Sequence, residues 1–342
     1  MLETVVAIIT LVSLILYALM GGADFGGGVW DLVARGPRAT RQRQLVSNAI
    51  APIWEANHVW LILVVVLLFT AFPRAFAAIM TALHVPLTAM LLGIVARGSA
   101  FVFRKYDSKD DKVQQRWTRV FGIASVVTPF IQGACLGALA SGAIRVEAAR
   151  VMTGFFAGWT GGFAIACGVF ALALFAFLAA AYLTVDAELD REVQEDFRRR
   201  ALVSELALAP IAAAVFFLAR AGGAPEMYQE LTRWWAPGLL ALTTLCALVA
   251  LWALWSRRYR VARAAAVGQV SLILTGWAVA QFPRLIVPDV DIWASGAPPI
   301  TLKLLVAALA AGAVILLPSL YYLFRVFKGR AVVAPTSDEV EH

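Results

Sequence analysis

Nine stretches of this chain each run for about twenty residues with almost no charge, the length an α-helix needs to cross the hydrocarbon of a bilayer. They fall at about 2–22, 50–72, 76–103, 118–140, 153–183, 201–220, 235–255, 264–282 and 301–324. Of 342 residues, 61% are hydrophobic and only 15% are charged, more apolar than a soluble domain. These stretches predict an all-α integral membrane protein with nine transmembrane helices. The third and fifth are longer than the bilayer requires and are expected to tilt or project.

The connections between these stretches alternate in basic charge, which sets orientation. Arg35, Arg38, Arg41 and Arg43 follow the first stretch, and Arg104, Lys105, Lys109, Lys112, Arg116 and Arg119 follow the third. Arg191, Arg198, Arg199 and Arg200 follow the fifth, Arg257, Arg258, Arg260 and Arg263 the seventh, and Arg325, Lys328 and Arg330 close the chain. The intervening connections hold far fewer. The N-terminus is therefore expected outside and the C-terminus in the cytoplasm. The net charge of +7 is accounted for by this topology signal and gives no reason to expect nucleic acid as a partner. Met1-Leu2-Glu3 lacks the basic start of a secretory signal, so the first stretch is expected to be a spanning helix.

The expected division is a first four-helix bundle over 1–140 and a second over 141–282. A ninth, peripheral helix follows in 283–330, then a disordered cytoplasmic tail in 331–342. A faint echo supports the two halves. Leu45-Val46-Ser47 with Ala51-Pro52 opens the second stretch, and Leu202-Val203-Ser204 with Ala209-Pro210 opens the sixth. The longest cytoplasmic insert, about 185–200, is mixed in charge and expected to extend a helix. Cys135, Cys167 and Cys246 lie inside apolar stretches without metal-ligand spacing and read as small packing residues.

Ionisable groups inside apolar stretches are the functional candidates, because a charge at the bilayer centre costs on the order of 3 kcal/mol even on lenient scales. Asp24 stands among Gly21, Gly22, Gly26, Gly27 and Gly28, at the expected cytoplasmic end of the first helix. The glycines suit close helix approach or an unwound helix end. Glu55 lies about one turn into the second helix, within Trp54-Glu55-Ala56-Asn57-His58-Val59-Trp60. Arg97 lies in the cytoplasmic part of the third. The three share one depth, so Arg97 is placed to neutralise Asp24 or Glu55. Two readings follow: a static ion pair that ties helices together, or a hydrated proton inlet. Glu55 and His58, three apart, share a helix face, with Asn57 beside them, and such a set can relay protons. Trp54 and Trp60 read as interfacial anchors. His84 and His58 form a conceivable bis-imidazole haem site, but histidines bonded to a neighbouring carbonyl or hydroxyl are the favoured reading. Phe72-Pro73-Arg74 and Phe282-Pro283-Arg284 mark helix ends.

At these residues the sequence resembles subunit II of the cytochrome bd quinol oxidases, over nearly the whole chain. The resemblance rests on Gly22-Ala23-Asp24-Phe25-Gly26, on Asn48 to Pro52, on Trp54 to Ile62, and on Arg97, Phe282-Pro283 and Thr301-Leu302. It implies a nine-helix subunit in the bacterial cytoplasmic (inner) membrane that ligates no haem or metal. The partner, subunit I, would hold two b-type haems, a haem d or third b haem, and the quinol site. The complex would oxidise quinol and reduce dioxygen to water, with small single-span accessory subunits, lipid and quinone as further partners. Asp24 and Glu55 match acidic positions of the family, Glu55 in its proton path, and Arg97 matches a basic one. Some members carry a second acid where this chain has Gly21, and Gln where it has His58, which makes His58 a substitute relay. A proton-coupled transporter and a purely structural assembly subunit are the alternatives.

Overall fold

The computed structural model describes residues 1–50, 54–106 and 111–329, without the side chains at 54–56, 105, 106, 111, 112, 317, 323, 324 and 326–329. Twelve helices carry the fold: α1 (Leu2–Val33), α2 (Ala39–Ile50), α3 (Trp54–Ala71), α4 (Pro73–Ala82), α5 (His84–Tyr106), α6 (Asp111–Ala140), α7 (Gly162–Asp186), α8 (Arg191–Leu218), α9 (Pro225–Leu231), α10 (Ala236–Trp255), α11 (Tyr259–Gln281) and α12 (Pro299–Gly329). Two small hairpins, β1 (Val146–Glu147) with β2 (Arg150–Val151) and β3 (Arg284–Ile286) with β4 (Val290–Asp291), lie in the connections. Among the described residues eight helices are long and apolar enough to span a membrane. Nine are reached only if α3 and α4, bent by 118°, count as one crossing.

Several boundaries depart from the sequence pattern for identifiable reasons. The stretch at 76–103 is interrupted at Leu83 (φ −112°, ψ 18°), between α4 and α5. Pro86 has no N–H for the carbonyl four residues back, and its ring crowds that carbonyl, which favours a break here, whereas Pro129, Pro210 and Pro318 are carried inside α6, α8 and α12. The helix expected from 153 begins at Gly162. Gly158 at φ +84°, with Gly154 and Gly161, keeps that apolar segment in turns. Helix α8 starts at Arg191 rather than 201, and Asp190 caps it by accepting from the Val193 N–H at 3.2 Å. The insert expected to extend a helix therefore belongs to α7 and α8. Helix α1 does not stop at residue 22 but continues through the glycines to Val33.

The contacts sort the connections into two groups. At one end, the α2 residue Gln42 and the preceding Arg38 meet Asp196 of α8, with Arg38 bidentate at 2.7 and 2.8 Å. Arg41 joins Asp190 and Glu192 there. At the opposite end, Arg145 pairs with Asp289 at 2.8 Å, Arg74 reaches the Ala294 carbonyl, and the Ala297 N–H donates to the Ala71 carbonyl. The basic connections after the first and fifth stretches thus share one face of the protein. The Arg145 guanidinium and the Val146 N–H hold the Asp289 carboxyl below its ordinary range.

Helix α1 is the central element, packed on α3, α6, α7 and α11. Gly26 and Gly28 make this possible. A Cβ on Gly26 would lie 2.0 Å from the Phe175 carbonyl of α7, and one on Gly28 would lie 2.0 Å from Oγ of Ser125 on α6. Trp30 adds a bond from its indole N–H to the Ala176 carbonyl at 2.8 Å. The largest buried cluster gathers Tyr17, Phe25, Trp60, Phe175, Phe177 and Leu178 with the alanines of α7, α10 and α11. Helix α12 touches α1 and α3 and leaves Ile315 and Val314 exposed.

Gly26→Ala has backbone in its way, so it is expected to destabilise the folded protein by about 3 kcal/mol or more, read as a lowered thermal midpoint. Gly312→Ala meets nothing within 4 Å and is expected to leave stability unchanged or raise it by about 1 kcal/mol. Asp289→Asn is expected to lower stability at neutral pH. That loss should vanish as pH falls through the depressed folded-state value, because wild type then also loses the charge.

Candidate functional site: a buried ion-pair ladder and a polar column

Asp24 is 0% exposed and Arg97 3%, so neither charge is hydrated from bulk solvent. The guanidinium binds the carboxylate bidentately, NH1 to Oδ2 at 2.8 Å and NH2 to Oδ1 at 2.5 Å, and NH2 also donates to the Asp24 carbonyl at 3.0 Å. The remaining donor, Nε, bonds Ser125 Oγ at 2.9 Å, and that hydroxyl donates to the Phe121 carbonyl at 2.7 Å. Phe25 and Phe121 cover the guanidinium at 4.9 and 4.7 Å. Three helices meet at this one group: α1 supplies the acid, α5 the base, and α6 the hydroxyl.

A second pair repeats the first one seven residues along both helices. Asp31 of α1, 1% exposed, accepts from Arg104 of α5 at 3.1 and 3.3 Å. Phe121 lies between the two arginines, with Arg104 at 5.3 Å. Arg43 of α2 donates to the Ala34 carbonyl at 2.9 Å. It thereby caps the carbonyl end of α1, where a cation is favoured by the helix dipole. Asp31 was not singled out from the sequence. Its signal was the matched spacing, Asp24 to Asp31 and Arg97 to Arg104, two turns on each helix.

Away from the basic face, the ladder leads into polar side chains buried between α1, α3, α5 and α6. Asn57 is fully buried with neither amide atom hydrogen-bonded, and it lies against Gly21, whose added Cβ would be 3.1 Å from its Nδ2. Thr128 Oγ1, beside Gly93, has no partner, nor does the Trp60 indole N–H. Gln132 donates through Nε2 to the Tyr17 hydroxyl, while its Oε1 stays unpaired. Ser125, Thr128 and Gln132 form one face of α6, and Tyr17, Gly21 and Asp24 one face of α1, over roughly 10 Å of helix rise. Buried polar groups without protein partners are ordinarily satisfied by internal water. The sequence reading passed over Tyr17, Thr128 and Gln132 because each is unremarkable alone. Only their helical spacing reveals the column.

The other expected residues fare as follows. Arg97 neutralises Asp24, and Asp24 lies inside a continuous helix rather than at an unwound end. The side chains of Trp54 and Glu55 lie outside the described residues; their backbone forms the first turn of α3, next to Asn57. His58 is partly buried there. Trp60 is buried in the largest apolar cluster, so the interfacial-anchor reading does not hold for it. His84 is exposed at the start of α5, with Nδ1 2.9 Å from the Thr81 carbonyl and its ring edge-on to Phe155. Roughly 20 Å of helix rise separates it from Arg97, so it lies at the end of the bundle away from His58. The two do not form a bis-imidazole haem site. Among the described residues no three of His, Cys, Asp or Glu cluster as a metal site.

These features define a multi-pass membrane protein built around compensated charges in its interior. Residues 2–327 match the family model described as cytochrome bd terminal oxidase subunit II, and the chain belongs to that family. A putative cytochrome bd menaquinol oxidase subunit II of Bacillus subtilis is 24% identical over 91% of each chain. Cytochrome bd ubiquinol oxidase subunit 2 of the same organism is 32% identical over 34% of each. Cytochrome bd-I ubiquinol oxidase subunit 2 of Escherichia coli K12 is 33% identical, over 38% of this chain and 34% of that one. The chain thus spans about a third of the length of the latter two relatives and nine-tenths of the first. The bd oxidase structure from Geobacillus thermodenitrificans superposes with a TM-score of 0.75 at 20% identity, covering 95% of this chain and 98% of that one, and so shares its fold.

Removing one partner of the ladder strands the other. Arg97→Leu is expected to cost about 3–5 kcal/mol and to reduce the yield of folded protein. The double variant Asp24→Leu/Arg97→Leu is expected to recover part of that loss, measured as yield and thermal midpoint.

Proposed function

We propose that this chain is the haem-free subunit of a cytochrome bd-type quinol oxidase in the bacterial cytoplasmic membrane, with a cytoplasmic proton inlet through Asp24, Glu55 and His58. Its partner is the haem-bearing subunit, which carries the b-type haems, a haem d or third b haem, and the quinol site. Together they oxidise quinol and reduce dioxygen to water. Family membership and the oxidase names of the relatives support the complex. In this reading α1, α3, α5 and α6 form the first bundle and α7, α8, α10 and α11 the second. Helix α12 lies outside both, and the basic face is cytoplasmic.

The observation that carries the proton role is the polar column that leads inward from the Asp24–Arg97 pair. Oxygen reduction consumes protons, and a buried row of hydroxyl and amide groups between helices suits a water-borne relay. Arg97 pairs with Asp24 where the column begins. Glu55 and His58, on the first turns of α3 beside Asn57, are the groups to which this reading assigns proton uptake.

A second reading has its own support. Every donor-bearing nitrogen of Arg97 and both carboxylate oxygens of Asp24 are satisfied, as in an ion pair that only fixes helix packing. The two readings separate in Glu55→Gln, assayed in the purified complex. Proton delivery predicts that oxygen reduction slows at least about tenfold, a barrier increase of about 1.4 kcal/mol, with an unchanged haem spectrum. A structural role predicts that haem content and yield fall together. Full turnover at every pH would remove the inlet.

A further inference from the structure

One buried acid belongs to neither the ladder nor the column. Glu205 of α8 is 4% exposed, and Gln269 of α11 is 5% exposed. The amide Nε2 of Gln269 donates to Glu205 Oε1 at 2.9 Å. The other two polar atoms of the pair, Glu205 Oε2 and Gln269 Oε1, are buried without a hydrogen bond. Both are acceptors when the acid is ionised, so neither can serve the other. A single proton on Oε2 changes this. The acid then donates to the amide oxygen while the amide donates to the acid carbonyl, and one closed ring satisfies both orphaned atoms.

We propose that Glu205 is a proton-binding site, held as a neutral carboxylic acid in a reciprocal pair with the Gln269 carboxamide. Among the described residues no cation is paired with Glu205 to stabilise the charged alternative. On α8 the nearest bases are Arg198 and Arg199, both paired with Glu195, and Arg200, bonded to Gln42 and stacked on Trp30 and Phe197. On α7, Asp186 and Tyr182 are engaged by Arg263 of α11. Nearer its start, α11 bears Arg260, which is exposed, and follows Arg258, which stacks on Trp252. Helix α10 has no Asp, Glu, Lys or Arg. Around the pair lie Ala201, Leu208, Ala265, Ala266 and Val270 of the main apolar cluster. A lone carboxylate with one amide donor in such a place is the costlier state.

The site is independent of the inlet proposed above, on different helices and without Asp24, Glu55 or His58. Infrared spectroscopy of the intact complex tests it through the carbonyl stretch of a protonated carboxylic acid, which shifts in D2O. Such a band is expected in wild type through neutral pH and is expected to be lost in Glu205→Gln, an amide of the same shape. In Gln269→Leu, with the amide donor gone, the band is expected to move to higher frequency. Loss of a carboxylate band instead in Glu205→Gln overturns the proposal. If that variant does not assemble, Gln269→Leu decides alone, because an unmoved acid band there would mean that the proton does not reside on Glu205.

Discussion

The Asp24–Arg97 pair is the interaction on which the arrangement of the first half of the chain depends. An isolated charge in an apolar interior is expensive, so α1, α5 and α6 can meet only in the geometry that brings carboxylate, guanidinium and the Ser125 hydroxyl together. The glycines serve the same end. Gly28 lets α6 approach until Ser125 reaches Arg97, and Gly26 lets α7 lie against the other side of α1. The basic loops then close over this end through Arg38, Arg41 and Gln42 on the acidic start of α8.

Much of this was legible in the residues. The apolar stretches located most of the helices, and the basic connections after the first and fifth stretches, grouped by their Arg content, meet in space. Depth alone left Arg97 a choice of Asp24 or Glu55, and the register of α1 against α5 selects Asp24. Boundaries failed where apolar composition and backbone geometry diverge. The glycines at 154, 158 and 161 turn an apolar segment into loop, a break at Leu83 just before Pro86 splits another, and the glycines of α1 do not end it because its neighbours bury them. The pairs that link distant elements were the least legible. Asp31 with Arg104 and Glu205 with Gln269 need a three-dimensional register that no single stretch carries.

Asp24 in the first half and Glu205 in the second are handled differently by their surroundings. Asp24 is met by a full complement of charged donors and sits at the head of a row of hydroxyl and amide groups. Glu205 is met by one neutral amide within alanines, leucine and valine. The same residue class therefore serves two electrostatic regimes within one scaffold, set by what the facing helix presents: arginine from α5 in one case, glutamine from α11 in the other.

The seven-residue repeat of the ladder carries information about alignment. Apolar helix faces in lipid slide past one another at little cost, since lipid and side chain are equally greasy. A displacement of one turn, about 5.4 Å, would separate both acid–base pairs of α1 and α5. A displacement of two turns would re-form only one, leaving Asp24 facing the level of Met90. Only one alignment compensates all four charges, so the pairs act as a vernier that tells two otherwise featureless rods where to stop.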